Sequence, residues 1–483
     1  MPEQGISTDM PKSEAVTAPT WAELFRGRNA IFSLALGGSV ALHALNIYIA
    51  ITIMPSVVAD IGGLDYYAWS TTVFVVASIL GSALSARLLQ RVGARGAYGV
   101  AALLFGTGTI LCALAPNMPV LLAGRFVQGF GGGFLYALAY GVIRLVFADH
   151  HWARAIGLIS AMWGIATLTG PAIGGIFAEL GAWRAAFWSL IPFILVFAIL
   201  AHATLPGKAD SDEKPSRLPL AQLVLLTATV IALSAGSLGE ALYWNLIGIG
   251  MTLVLAGLLM AVEARSGTRL LPRGALKVTG PLGALYAVIA LLVIGMQPEI
   301  YVPYLLQVLH GQSPLIAGYL AALMAIGWTL ASLFSANLNS RSAPGAITIS
   351  PVLGLIGLTV LAVFMPVVGS GSWIGLAPVC GSLGLVGASI GLAWPHVVTM
   401  VFQRASPDEQ AIAAGAITTV QLFATALGAA TAGMVANLSG ITQPGGVAGA
   451  SNAALWLFGL FALAPALCIP AARRAARPGM TPR

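Results

Sequence analysis

The sequence predicts an all-α integral membrane protein of about fourteen transmembrane helices, and three observations carry that prediction. Of 483 residues, 58% are hydrophobic and 8% are charged, whereas a soluble domain carries about 25% charged residues. Apolar runs long enough to span a hydrocarbon core, which takes roughly 20 residues per helix, alternate with short charged or Gly/Pro-rich breaks. No period-two alternation accompanies them, which excludes a β-barrel. The 57 glycines fall largely inside these runs, where small residues let helix backbones approach in lipid.

Residues 1–29 are polar, contain three prolines and lack an apolar core followed by a small-residue cleavage site, so they read as a cytoplasmic tail. Apolar runs follow at 30–57, 68–90, 97–116, 119–147, 153–178 and 184–206. After a polar loop at 207–217 come 218–238 and 241–263, which form a hairpin over 218–264. A basic linker at 265–278 leads to runs at 279–307, 314–337, 346–368, 372–403, 409–437 and 452–472, and 474–483 is a second polar tail. Cys112, Cys380 and Cys468 all sit in apolar runs, as small buried hydrophobes would, and imply neither a disulfide framework nor a metal cluster.

Lysine and arginine fix the orientation. With the amino terminus inside, only Arg125 and Arg184 of the 23 Lys and Arg lie within a span or outside, a strong positive-inside bias. Both termini are then cytoplasmic, in a bacterial inner membrane. The formal charge of +7 belongs to this topology and to the anionic inner leaflet rather than to nucleic acid.

An internal repeat is visible. Ser85-Ala86-Arg87-Leu88-Leu89-Gln90-Arg91 matches Ser335-Ala336-Asn337-Leu338-Asn339-Ser340-Arg341 at four of seven positions, at an offset of 250 residues. The match falls in equivalent loops if 30–206 and 279–473 are two pseudo-symmetric six-helix bundles with 218–264 an inserted pair.

Several motifs resemble the major facilitator superfamily in its fourteen-span drug:proton antiporter branch. They are Leu45-Asn46 through Ile53-Met54-Pro55 in the first span, Trp69 in the second, and Leu121-Leu122-Ala123-Gly124-Arg125-Phe126-Val127-Gln128-Gly129 in the fourth. Gly164 and Gly170-Pro171-Ala172-Ile173-Gly174-Gly175 match the fifth-helix antiporter motif, and Trp183-Arg184 with Phe187 resembles the start of the sixth. Two positions depart from the pattern. The gating-loop motif reads Ala86, Gln90-Arg91, Gly93 and Ala94-Arg95, without the family's acid, and the first span carries Asn46 where the family usually has Asp.

Ionisable groups deep in a span cost several kcal/mol and are functional candidates by default. Glu299 is the one carboxylate well inside an apolar run, and it follows Pro298, which removes a backbone donor and can open the helix there. It reads as a protonatable coupling site or as a solvated group at the outer mouth. Arg125 and Gln128 share a helix face. The resemblance places spans 1, 4, 9 and 12 around a central cavity, so Arg125 and Glu299 are expected to meet from opposite halves and to form or exchange an ion pair. His43 and Asn46 share a face of the first span; histidine as a type titrates near neutrality, so His43 is a candidate substitute for the missing acid, and Asn46 a candidate ligand donor and acceptor. Tyr301, Tyr136, Tyr140, Trp163, Trp394-Pro395-His396 and Gln421 supply aromatic faces and polar groups suited to a flat heterocycle. Tyr66, Tyr67 and Trp69 read as an interfacial anchor. Asp149-His150-His151 reads as a solvated turn, and Gly129-x-x-x-Gly133 with Gly170 to Gly175 as close-contact or sliding seams.

No paired carboxylates, metal-spaced set or nucleophile motif recurs in the loops, so no enzyme and no cofactor is expected. No Walker loop points to ATP. The expected function is secondary active transport of an amphipathic or heterocyclic small molecule by a monomer contacting membrane lipids, with protons as coupling ion, in the direction of drug export. Uptake of a planar nutrient such as riboflavin is the alternative that the acids lost at Asn46 and Gln90 suggest.

Overall fold

A computed structural model describes residues 21–148, 151–208, 218–239, 242–338, 341–369 and 372–477. Most of both predicted tails, most of the 207–217 loop, Asp149-His150 and Asn339-Ser340 lie outside the described residues. Among the described residues every regular element is helical, and twelve helices are long and apolar enough to cross a membrane.

A short α1 (Trp21–Leu24) leads into α2 (Gly27–Ile61), α3 (Trp69–Ala113), α4 (Met118–Val146) and α5 (Trp152–Glu179). The next run breaks into α6 (Trp183–Trp188) and α7 (Leu190–Thr204), followed by the hairpin α8 (Leu220–Gly236) and α9 (Leu242–Arg265). The second half begins with α10 (Pro281–Met296), a 3-10 segment at Gln297–Tyr301 and α11 (Val302–His310). It continues through α12 (Pro314–Ala336), α13 (Ala343–Phe364), α14 (Trp373–Arg404) and α15 (Gln410–Leu438) to α16 (Gly446–Phe461) and α17 (Leu463–Ala475).

The helix count differs from the sequence expectation in two places. The runs at 68–90 and 97–116 are joined in α3, whose 45 residues are broken only at Gly93, with φ 72° and ψ 176°. That conformation favours glycine, and a Cβ there would also meet the carbonyl carbon of Gly207 at 2.5 Å. The run at 218–238 forms α8 over 17 residues only, short of the length a perpendicular span needs.

Each half packs through glycine. Gly129, Gly131 and Gly133 of α4 lie so close to α3 that an added Cβ would fall 2.7–2.8 Å from the Cα atoms of Phe74, Phe105 and Ser78. Ser78 Oγ donates to Gly129 O and Ser82 Oγ to Gly133 O, both at 3.0 Å. The second half repeats this device: Ser332 Oγ donates to Gly391 O at 3.1 Å where α12 crosses α14. Ser82 and Ser332 stand 250 residues apart, the offset of the loop repeat. In the hairpin, Gly236 and Gly248 bring α8 and α9 together, and buried Glu263 accepts from the amides of Leu270 and Leu271 at 2.8 and 2.7 Å, tying the linker to α9.

The two halves meet at one end of the bundle. Asn437 of α15 donates to Asp65 O at 3.0 Å and to Ser237 O at 3.1 Å, and Leu315 N donates to the Glu179 carboxylate at 3.3 Å. A Cβ on Gly175 would lie 2.5 Å from Leu315 Cα, and one on Gly318 would lie 2.6 Å from Thr52 Cγ2. Arg184 braces the same end within the first half, reaching Asp60 at 2.6 Å and Ala115 O at 2.9 Å. At the opposite end, Arg95 binds Leu205 O and Pro206 O within the first half, while Arg404 binds Pro281 O and Ala475 O within the second.

Candidate functional site

In the first half a buried polar network grows from Arg125, which is 2% exposed. Its Nε donates to Ser70 O at 3.2 Å, and its Nη1 donates to Gln128 Oε1 at 2.6 Å and to Asn46 Oδ1 at 3.3 Å. Gln128 Nε2 passes the chain on to Thr109 Oγ1 at 2.8 Å. The guanidinium carbon sits 4.2 Å from the centre of the Phe74 ring, so the π face adds a cation–π contact to three neutral oxygen acceptors. These contacts satisfy the guanidinium locally, but each acceptor is neutral. Asn46, fully buried with its Nδ2 unbonded, occupies the place from which a carboxylate would neutralise Arg125.

Phe74 also belongs to an aromatic box around His43. The His43 ring is 5.5 Å from Phe74, 5.3 Å and nearly parallel to Tyr136, and 6.1 Å from Trp163 edge-on. Tyr136 in turn meets Tyr140 at 5.5 Å. Gly132 makes room for the imidazole, since a Cβ there would lie 2.9 Å from Nδ1. His43 and Asn46 therefore do share a face, against α4, and they divide it: Asn46 holds the arginine while His43 joins the aromatic wall.

Glu299 lies in the 3-10 segment that Pro298 introduces between α10 and α11. It is half-buried, and none of the ion pairs among the described residues involves it. The expected pair with Arg125 is not formed among the described residues: Arg125 donates from Nε and Nη1 to Ser70, Gln128 and Asn46 of its own half.

Tyr301 is fully buried and stacks on Tyr67 at 4.8 Å, with Tyr304 edge-on to Tyr67 at 5.8 Å. This corrects the reading of Tyr67 as an interfacial anchor: at 2% exposure it is wedged between the halves, whereas Tyr66 and Trp69 remain half-buried neighbours 6.2 Å apart. Tyr301 thus belongs to the closed end of the bundle. Trp394 packs on Trp328 at 5.4 Å, and both Trp394 and Gln421 are half-buried on α14 and α15, outside the Arg125 network.

Of the gating-loop residues, Gly93 and Arg95 fasten the kink to the 205–208 segment of their own half, Arg91 is exposed, and Gln90 Oε1 is buried without a partner. In the antiporter motif, Gly170 and Gly174 press on Tyr48 and Thr52 of α2, Gly175 meets Leu315 across the seam, and Pro171 lies against the Cβ position of Gly318. Gly164 has open space around it. The Gly129 to Gly133 run, by contrast, packs inside the first half. His151 is 6% exposed and 3.8 Å from Glu23, so that end of the predicted solvated turn is buried. Sequence reasoning missed Ser70, Phe74, Thr109 and Tyr48, because neutral residues in apolar helices carry no signal of their partners.

Comparison with known proteins agrees with this architecture. The family model described as Major Facilitator Superfamily matches residues 36–429. A relative named a probable multidrug-efflux transporter, from Mycobacterium tuberculosis, is 35% identical over 453 residues, covering 92% of this chain and 94% of its own. Multidrug resistance protein 3 of Bacillus subtilis is 25% identical over 347 residues, covering 70% of this chain and 66% of its own. Among solved structures, the nucleoside transporter NupG superposes with a TM-score of 0.65 at 13% identity, covering 91% of this chain and 98% of its own. The peptide-transporter-family protein PepTSo superposes with 0.66 at 13% identity, over 94% and 98%. The family match across most of the sequence, the long relationship to the mycobacterial protein and the shared helical fold together place this multi-pass membrane chain in the Major Facilitator Superfamily.

Proposed function

We propose that this chain is a proton-coupled exporter of amphipathic, drug-like compounds that works by alternating access, with Glu299 as the coupling carboxylate. The observation that carries the coupling role is the half-buried Glu299, outside every ion pair among the described residues, in the helix break between α10 and α11. A carboxylate there costs least when neutral, so proton uptake and release can be tied to opening and closing of the seam. The printed names of the mycobacterial and Bacillus relatives support drugs as the cargo class and efflux as the direction. Nothing in those relatives supports uptake of a planar nutrient such as riboflavin.

The rest of the site reading follows this assignment. His43, Phe74, Tyr136, Tyr140 and Trp163 offer π faces for a flat apolar cargo, with Trp394 and Gln421 as candidate contacts from the second half. Arg125, with Asn46 and Gln128, sets the local positive field, and Gly93 and Arg95, beside Gln90 and Arg91 of the same gating loop, hold the hinge of α3.

Fourteen crossings are the topology that best fits. At about 1.5 Å per residue, the 45 residues of α3 exceed twice a hydrocarbon core of roughly 30 Å, with the break at Gly93 as the turn. Counting α3 twice and adding α8, whose 17 residues cross where the bilayer thins locally, extends the twelve helices to fourteen. The repeated Ser82 and Ser332 hydrogen bonds support two six-helix bundles at 30–206 and 279–473 around an inserted hairpin at 218–264. The basic loops support cytoplasmic termini, with the chain acting as a monomer.

Expression in an efflux-deficient bacterium tests the function. Resistance to cationic dyes and faster ethidium efflux are expected. Riboflavin accumulation without any resistance would reject export.

A further inference from the structure

Four helix ends converge on a cleft of about 510 Å³ in the first half: the start of α2, the segment of α3 just past Gly93, and the ends of α4 and α7. Its lining combines cationic and polar residues, Arg28, Asn29, Arg95 and Thr204, with the apolar Phe32 and Leu145. Both arginines are exposed, and neither enters an ion pair among the described residues. Arg95 commits its Nε to Leu205 O at 3.2 Å, which fixes the guanidinium and leaves its terminal amino groups free. Arg28 rests 5.7 Å from the Phe32 ring centre. Glu23, whose carbonyl accepts from Asn29, turns its carboxylate towards His151 at 3.8 Å.

We propose that this cleft binds the phosphate of an anionic phospholipid, with Arg28 and Arg95 on the phosphate oxygens and Leu145 leading the first acyl carbons into the bilayer. Paired guanidiniums match phosphate geometry. Leu145 is 58% exposed, so the apolar wall continues outward where a soluble anion needs no such surface. The cleft sits beside the start of α2 and the ends of α4 and α7, where apolar helices give way to charged residues, as they do at a bilayer's headgroups. The choice of the cytoplasmic leaflet rests on the proposed orientation; binding itself does not, because lipid contact in detergent has no sidedness.

Native mass spectrometry of the full chain, titrated with phosphatidylglycerol, phosphatidylcholine or inorganic phosphate, tests the site. One strongly bound phosphatidylglycerol is expected, with phosphatidylcholine weaker and millimolar phosphate unable to displace it. Arg28→Gln with Arg95→Gln should weaken phosphatidylglycerol binding about 20-fold. If that double variant does not fold, Leu145→Trp, which fills the apolar side and keeps both charges, should still lower lipid occupancy. Equal binding of the two lipids, retention of phosphatidylglycerol by the variants, or displacement by phosphate alone would each overturn the proposal. Orientation is read separately from cysteine labelling at the termini, so failure of one reading leaves the other standing.

Discussion

Arg125 is a full positive charge held by Ser70 O, Asn46, Gln128 and the Phe74 face, with no carboxylate among its partners. Removing it orphans several buried acceptors at once, each costing about 1–3 kcal/mol. Arg125→Ala should therefore lower both thermal stability in detergent and transport, the latter at least about tenfold, while Arg125→Lys should recover stability better than transport because it keeps the charge but loses the fork. Asn46→Asp restores a counter-charge 3.3 Å from Nη1. That variant is expected to hold its melting temperature and to slow turnover, since the new ion pair must be broken or carried through the cycle; efflux rates set beside melting curves check both. At this scale the sequence was partly legible. The one-turn spacing announced Arg125 with Gln128, but Asn46 is 79 residues from Arg125, and only folding brings it there. Glu299 stood out as a lone carboxylate, whereas Phe74, on which Arg125 rests, looked like any other aromatic in an apolar run.

Glycines that look alike in the sequence do different jobs in the helices that carry them. Gly129 and Gly133 lock α4 onto α3, and the serine hydrogen bonds beside them cross the same contact. Gly175 and Gly318 instead lie where the two halves touch. Gly129→Ala should destabilise the first bundle by about 1–3 kcal/mol through overpacking, visible as a lower melting temperature. Gly318→Leu should leave the melting temperature near that of the wild type and block transport, because the added side chain props the seam open. Transport unchanged by Gly318→Leu would assign that glycine to static packing. Helix positions were legible because apolar runs and breaks are local properties of the chain. The burial of Tyr67 was not, because an aromatic at a helix end has the same composition whether it faces lipid headgroups or, as here, Tyr301.

For the whole molecule, the hydrogen bonds between halves cluster at the end carrying the 62–68 loop, and the Tyr67–Tyr301 stack closes that end. In the orientation proposed above, this end faces outside, and the conformation is one of the two states that the proposed alternating access requires. The loop repeat that suggests two halves begins one turn after Ser82 and Ser332, which make the same serine-to-carbonyl bond in α3 and α12. The seam could not be read, since contacts between halves depend on the state the transporter occupies. The decisive measurement is dye transport in proteoliposomes with and without an imposed pH gradient, comparing wild type with Glu299→Gln. The account predicts that the gradient drives concentrative transport by the wild type, and that Glu299→Gln keeps dye exchange but no longer responds to the gradient. Gradient-driven transport of equal size in both proteins would contradict it.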